Sequence, residues 1–315
     1  MTTRLRQPAE PLAPSEQARE LVRGAFDVHV HIAPDVVERR VTDVELARRF
    51  GELGLAGFVL KSHYTSTAER AAVVRDVVPG VDVLGAIALN RAVGGMNPLA
   101  VEIAAREGAR VVWLPTVDAV NEAAHGAALA PGATPPVWMR LQQELRGRGI
   151  AIEPVAVVDE QGGVLPETRA VLAAIARHGL VLATGHLGRD EIFAVVDAAL
   201  EAGVRDIVVT HPEYPSQNLP VEDQLELARR GALLERCFTT PHTGKVSWER
   251  WLAAIRAAGP EHSVLSTDLG QVSNPPVEDG LALMADRLLA AHFSEAEVRR
   301  MAVTNTLRVA GVPAG

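Results

Sequence analysis

Short β-branched runs that stop at polar residues alternate along this chain with Ala-, Leu- and Arg-rich stretches of helical periodicity. The runs predict eight strands, at 25–31, 56–63, 81–89, 110–116, 181–186, 206–211, 232–238 and 263–268. Helical patterns fall between them, at 44–53, 68–77, 191–202, 221–230 and 248–258. Most strand ends follow one another at about 25–32 residues, the length of one βα unit. Glycines stand before many of the strands (Gly24, Gly54, Gly80, Gly108, Gly203, Gly231), where helices end and the chain turns. The expected fold is α/β, a single (β/α)8 TIM barrel.

The interval between the fourth and fifth strands is longer than the others. It holds a Gly/Ala/Pro-rich loop (126–136), a helical pattern (137–146) and two extended runs (150–158 and 163–165) around the turn-forming sequence Asp159-Glu160-Gln161-Gly162-Gly163. We read it as an insertion above the barrel. The alternative makes 150–158 a barrel strand and shifts the count by one. Two closing helices are expected at 277–293 and 294–310, the second opened by a Ser294/Glu297 capping box. At the other end, 1–14 reads as a polar, proline-rich arm and 15–23 as a short helix with Ser15 as N-cap. The domain reading is therefore 1–24 arm and helix, 25–315 barrel.

Composition sharpens this picture. Hydrophobic residues make up 48% of the chain but aromatics only 4%, so the core must be Val, Leu, Ile and Ala, the filling of parallel strands covered on both faces. A net charge of −8 argues against nucleic acid or an anionic membrane as partner, and leaves the charge of a small-molecule substrate open. With one cysteine, Cys237, neither an intrachain disulfide nor a cysteine zinc motif can form. No apolar run reaches the ~18 residues of a membrane span, and 1–14 lacks a signal-peptide core. A cytoplasmic protein is expected, and a homo-oligomer is compatible with the sequence.

The chemistry sits at the strand ends. Residues two apart on a strand face the same side, so His29 and His31 point together at the end of the first strand, a good half-site for zinc. Satisfied polar histidines are the plain alternative for that pair alone. The fifth strand, however, ends at His186, the sixth at His211 and the eighth at Asp268. The C-terminal ends of barrel strands are where such folds keep their chemistry.

This set, His29-x-His31, His186, His211 and Asp268 in that order, resembles the amidohydrolase superfamily. The segments 26–35, 59–64 and 184–190 look closest to a poorly characterised amidohydrolase-like subgroup, and 301–307 is similar to the closing helix of many members. The resemblance spans residue 26 to the end. It implies metal-dependent hydrolysis of a small molecule by activated water, most simply at an amide or cyclic amide C–N bond, with lactones and phosphate esters open. His29, His31 and Asp268 would hold one Zn2+ or other divalent cation, His186 and His211 a second. Asp268 would carry the proton, and His211 would act on substrate. Two rivals stand beside this: a single-metal decarboxylase on the same barrel, and a barrel kept as a non-catalytic subunit.

One departure concerns the bridging ligand. Binuclear members often carry a lysine carbamate or glutamate on the fourth strand, and here 111–116 has neither. Lys61, on the second strand and on the same face as Val59 and His63, is then a carboxylated bridge, a free amine acting on substrate, or a salt-bridged structural lysine. His63, Asn90, Glu235 and His242 are candidates for substrate binding. Glu235 shares its face with Leu233 and Cys237, and is a carboxylate at the site if that face is inward. Cys237 reads as core filling. His242 follows the seventh strand and is either a substrate contact or a solvated loop histidine. Asn90, Arg91 and the 94–97 loop follow the third strand, where glycines would let backbone N–H groups approach an anion or simply form a turn. His125, His178, His262 and His292 lie away from strand ends and receive no role.

Overall fold

Every predicted strand forms in the computed structural model, which describes residues 13–127 and 137–312. They are β1 (Phe26–Val30), β2 (Gly57–Leu60), β3 (Asp82–Ala88), β4 (Ala109–Trp113), β5 (Val181–Ala183), β6 (Asp206–Val209), β7 (Leu233–Cys237) and β8 (Ser263–Ser266). All pair parallel in chain order. The sheet closes where β8 returns to β1: Asp268 N–H donates to His29 O and His31 N–H donates to Leu269 O, each at 2.8 Å. The architecture is a single (β/α)8 barrel. Most of the N-terminal arm and of the 126–136 loop lie outside the described residues.

The strands are shorter than predicted because their polar ends leave the ladder and turn into the mouth. After β5, Thr184-Gly185-His186 is loop, and Gly185 has φ +64° with Leu114 O only 2.4 Å from where a Cβ would stand. Only glycine meets both demands.

The helices are α1 (Glu16–Leu21), α2 (Asp43–Leu53), α3 (Ala68–Val77), α4 (Pro98–Arg106), α5 (Val120–Ala127), α6 (Val137–Gly147), α7 (Pro166–His178), α8 (Arg189–Glu201), α9 (Val221–Arg229), α10 (Thr239–His242), α11 (Trp248–Ala258), α12 (Val277–Ala290), α13 (Glu295–Arg299) and α14 (Asn305–Ala310). Local chemistry sets their ends. Thr42 accepts from Glu45 N–H to open α2, Gly54 closes it in the left-handed region, and the Ser294/Glu297 capping box opens α13. The predicted helix 294–310 is broken by a wide turn at 300–304. After that turn Asn305 Nδ2 donates to Ser263 O at 2.7 Å and Thr306 Oγ1 accepts from Phe26 N–H at 3.2 Å, fastening the base of β8 and β1.

The interval between β4 and β5 is an insertion and carries no barrel strand. β4 pairs directly with β5, and 150–158 makes only single bridges, Ala119 with Val155 and Val158 antiparallel to Val164. The Asp159–Gly163 turn forms, with Asp159 Oδ1 accepting from the N–H groups of Gln161 and Gly163. Among the described residues no helix is long and apolar enough to cross a membrane.

Candidate metal centre

Alternation on β1 turns Phe26, Val28 and Val30 towards the helices and Asp27, His29 and His31 inward. His29 proves the direction: its ring lies 5.3 Å from that of Trp113 on β4, tilted across the barrel interior. Its Nε2 lies 3.3 Å from His31 Nε2, and Asp268 Oδ1 lies 3.3 Å and 3.2 Å from these two nitrogens. Three donors bound to one zinc at about 2.0–2.1 Å in tetrahedral array stand about 3.3 Å apart. The observed triangle has that edge length.

The lone pairs are aimed as well as spaced. His29 Nδ1 is 2.9 Å from Glu235 Oε1, so Nδ1–H donates to the carboxylate and the lone pair is left on Nε2. Glu235 is buried at 1% exposure; Ser266 Oγ donates to its Oε1 and His211 N–H to its Oε2. Burial alone would raise its pKa, but the field of His29, the hydrogen bond to it and the charge of Lys61 outweigh burial and hold it below the usual range. The same contest keeps Asp268 ionised: burial opposes the charge, while His29, His31 and Lys61 hold it well below ordinary carboxylates. Thr239 Oγ1 donates to Asp268 Oδ2 at 2.8 Å, fixing its second oxygen. Asp268 and His211 both have positive φ, +52° and +26°. Such backbone costs on the order of 1–3 kcal/mol per residue and is kept where surrounding structure enforces it.

The remaining histidines ring this triangle. His31 stacks on His63 with centroids 4.8 Å apart, and His186 lies 5.0 Å from His211. Burial keeps His31, His63 and His211 well below the usual imidazole pKa and lowers His186 too, so all four are neutral. A buried carboxylate from the insertion, Glu122 on α5, stands 3.1 Å from His186 Nδ1 and accepts from Ser216 Oγ. The Tyr214 ring lies tilted 4.8 Å from His211 and stacks on His186 at 5.9 Å. Lys61 Nζ donates to His29 Nε2 at 2.9 Å and lies 4.9 Å from the Trp113 ring centroid; burial lowers its pKa. Over these groups opens a cavity of about 620 Å³.

The family model described as "Family of unknown function (DUF6282)" matches residues 24–235. The chain belongs to the DUF6282 family. No curated protein matches it. Solved structures of similar fold include an amidohydrolase from Pseudomonas aeruginosa (TM-score 0.59, 12% identity, covering 93% of this chain and 97% of that one). The "probable dipeptidase PvdM" from the same organism gives TM-score 0.62 at 11% identity, with 94% and 97% covered. The phosphotriesterase homology protein from Escherichia coli, complexed with phosphate in its active site, gives 0.52 at 14%, with 91% and 98% covered. The DUF6282 chain thus shares the barrel of amidohydrolase-superfamily enzymes.

In this DUF6282 protein the structure brings His29, His31, His63, Lys61, His186, His211 and Asp268 to one mouth. Three substrate-binding candidates sit elsewhere. Asn90 is fully buried with its amide saturated: Nδ2 donates to His63 O and Thr116 Oγ1, and Oδ1 accepts from Thr116 and Asp118 N–H. It braces the loop under His63, whose Nδ1 meets Thr116 Oγ1 at 2.8 Å. The 94–97 loop beside it lines no part of the cavity. Glu235 faces inward but lies beneath His29, where it orients a ring. His242 stacks on Phe238 at 4.8 Å and lines a neighbouring cavity instead. Among the described residues, the groups of three or more His, Cys, Asp or Glu donor atoms within 4.8 Å of one another contain neither His186 nor His211. Lys61 points its amine at His29, and the Trp113 ring of β4 lies 4.9 Å from that amine. Cys237 is buried core, as its sequence context suggests, and burial pushes its thiol pKa well up.

Sequence reasoning missed Glu122, Tyr214 and Thr239. Glu122 lies on a helix whose pattern cannot say which strand end it covers. Tyr214 follows His211 by three residues in a loop, and only the proximity to a strand-end histidine pointed towards it.

Proposed function

We propose that the protein is a metal-dependent hydrolase of small molecules, with one divalent cation held by His29, His31 and Asp268. The observation that carries this reading is the triangle of Nε2, Nε2 and Oδ1 at 3.2–3.3 Å, its first corner fixed in tautomer by Glu235. A divalent cation there supplies Lewis acidity and lowers the pKa of water towards neutrality. The chain's own residues do the rest. Asp268 is ionised and partly open to the cavity, so it accepts a proton from the attacking water and returns it to the leaving group. Neutral His186 and His211 on the facing strands offer hydrogen bonds to the substrate. Lys61 gives up its hold on His29 Nε2 when that lone pair is used, and its N–H groups then polarise the substrate. The surrounding burial excludes bulk water from these groups. The amidohydrolase-type fold supports an amide or cyclic amide C–N bond as the one cleaved.

A metal-dependent decarboxylase is the second reading, favoured by the fourth-strand run 111–116, which has neither a lysine nor a glutamate to bridge two cations. An assay for released carbon dioxide separates the two.

The test is elemental analysis of protein purified without chelator, followed by chelation and readdition of Zn2+ or Mn2+. About one cation per chain is expected, with loss in His31→Ala and in His29→Ala. Wild-type protein that neither retains nor takes up a divalent cation refutes the proposal. Hydrolysis of an amide, lactone and phosphate-ester panel then identifies the bond.

A further inference from the structure

The cavity over the metal centre is lined more by cations than by anions, although the whole chain carries net charge −8. Arg39, Lys61, Arg140 and Lys245 reach it, against Glu38 and Asp268. Two of these cations are already answered. Arg39 is clamped by Asp35, with Nε and Nη2 at 2.7 and 2.6 Å from one oxygen. Lys61 stands in the field of Asp268 and Glu235. Among the described residues, neither Lys245 nor Arg140 has a carboxylate within ion-pair distance, Glu38 included.

Lys245 is also held in place. Its Nζ donates to the Tyr214 hydroxyl at 3.0 Å and lies 4.2 Å from the ring centroid. Tyr214 is 7% exposed and rigid: its N–H donates to His211 O at 2.8 Å, and Glu213 before it forms a buried ion pair with Arg236. Since its oxygen accepts from Lys245, the phenolic proton is left to donate into the cavity. Tyr214 in turn packs against His211 and stacks on His186. A continuous line of contacts therefore runs from an unanswered ammonium to the histidine cluster.

We propose that the substrate carries an anionic group, a carboxylate or a phosphate, bound by Lys245, the Tyr214 hydroxyl and Arg140 at the outer part of the cavity while its reacting bond lies at His29, His31 and Asp268. This rests on the hydrolase reading above for the second half of that statement. A cation, a phenol and a guanidinium form a site for an oxyanion, because each has an N–H or O–H left to donate to it. Lys245 and Arg140 are exposed at the cavity and carry no carboxylate partner among the described residues, so both charges can meet an incoming anion. A neutral substrate would make no use of either charge.

The experiment is calorimetric titration of the full chain, as purified and after chelation, with succinate, inorganic phosphate and neutral succinamide. Succinate or phosphate should bind and weaken with added salt, while succinamide should not bind. Whichever anion binds more tightly identifies the group, and either preference supports the proposal. Lys245→Met should weaken binding about tenfold or more, Lys245→Arg should preserve most of it, and Arg140→Met should weaken it less, as losses of charged hydrogen bonds. Equal affinity in wild type, Lys245→Met and Arg140→Met overturns it. So does binding that vanishes entirely on chelation, since the anion would then sit on the cation. Metal content of the same samples keeps the two readings apart. Lys245→Met with full metal and unchanged anion binding sinks only this proposal, and wild type without metal sinks only the hydrolase.

Discussion

Glu235→Gln removes one charge beneath the proposed metal centre while keeping the shape of the side chain, and its consequence can be worked from three contacts. Oε1 accepts from His29 Nδ1–H and Ser266 Oγ–H, both at 2.9 Å, and Oε2 accepts from His211 N–H at 3.3 Å. An amide can serve only one of these sides. With its oxygen towards His29, its NH2 confronts His211 N–H, donor against donor. Flipped, the NH2 confronts His29 Nδ1 and drives the ring proton to Nε2, the nitrogen that must offer a lone pair. Either arrangement leaves a buried donor unpaired, at a cost of about 1–3 kcal/mol in stability. Loss of a carboxylate behind a metal-bound histidine typically weakens metal binding about 10–100-fold, or about 1.4–2.8 kcal/mol. Competition against a chromophoric zinc chelator measures that change, and a urea titration measures the first. Glu102→Gln is the control: it breaks a carboxylate–histidine pair of similar length, 2.7 Å to His178, on the outer surface, and should leave metal binding unchanged. If Glu235→Gln binds zinc within twofold of wild type, His29 is not a ligand held by Glu235 and the argument for the centre fails.

Asp268→Asn should abolish turnover and weaken metal uptake while a thermal melt shows the fold retained, since its backbone closure to His29 O remains. Lys61→Met should retain the cation and lose most turnover; metal loss restored by a short carboxylic acid would instead assign Lys61 as a bridging carbamate. Asp27 accepts from His29 and Thr267 N–H and from Thr267 Oγ1, and burial raises its pKa from 3.8 to about 7. Its neutral form is the favoured one, so its contribution to stability is full below pH 3.8 and falls as pH rises through about 7. Wild type should therefore lose more stability between about pH 5 and pH 8 than Asp27→Asn, and parallel melting curves would contradict this. Gly185→Ala forces a left-handed backbone and a Cβ 2.4 Å from Leu114 O, and should lower the urea midpoint and impair whatever depends on His186.

The sequence carried the fold because each βα unit repeats a local pattern, and barrel closure follows from eight of them. It carried the centre because strand parity fixes the direction of His29 and His31, and because Asp268 and the other histidines stop apolar runs. What it could not carry depends on turns. Asn90 stands at a strand end like the others, yet its amide folds back to brace the next loop. His242 ends a short helix that turns it onto Phe238 and out of the main cavity. Glu122 and Lys245 come from an insertion and a loop, whose direction no periodicity encodes. Parity alone left Glu235 undecided between faces, and packing against His29 decided it.

The seam between β1 and β8 joins residues about 240 positions apart in the chain, as the Asp27–Thr267 bonds measure it. The two sides of the proposed centre therefore meet only when the first and last βα units of the barrel come together. Asp268 reaches His29 and His31 through that closure alone, so a cation held by all three would be a clasp across the seam of the cylinder.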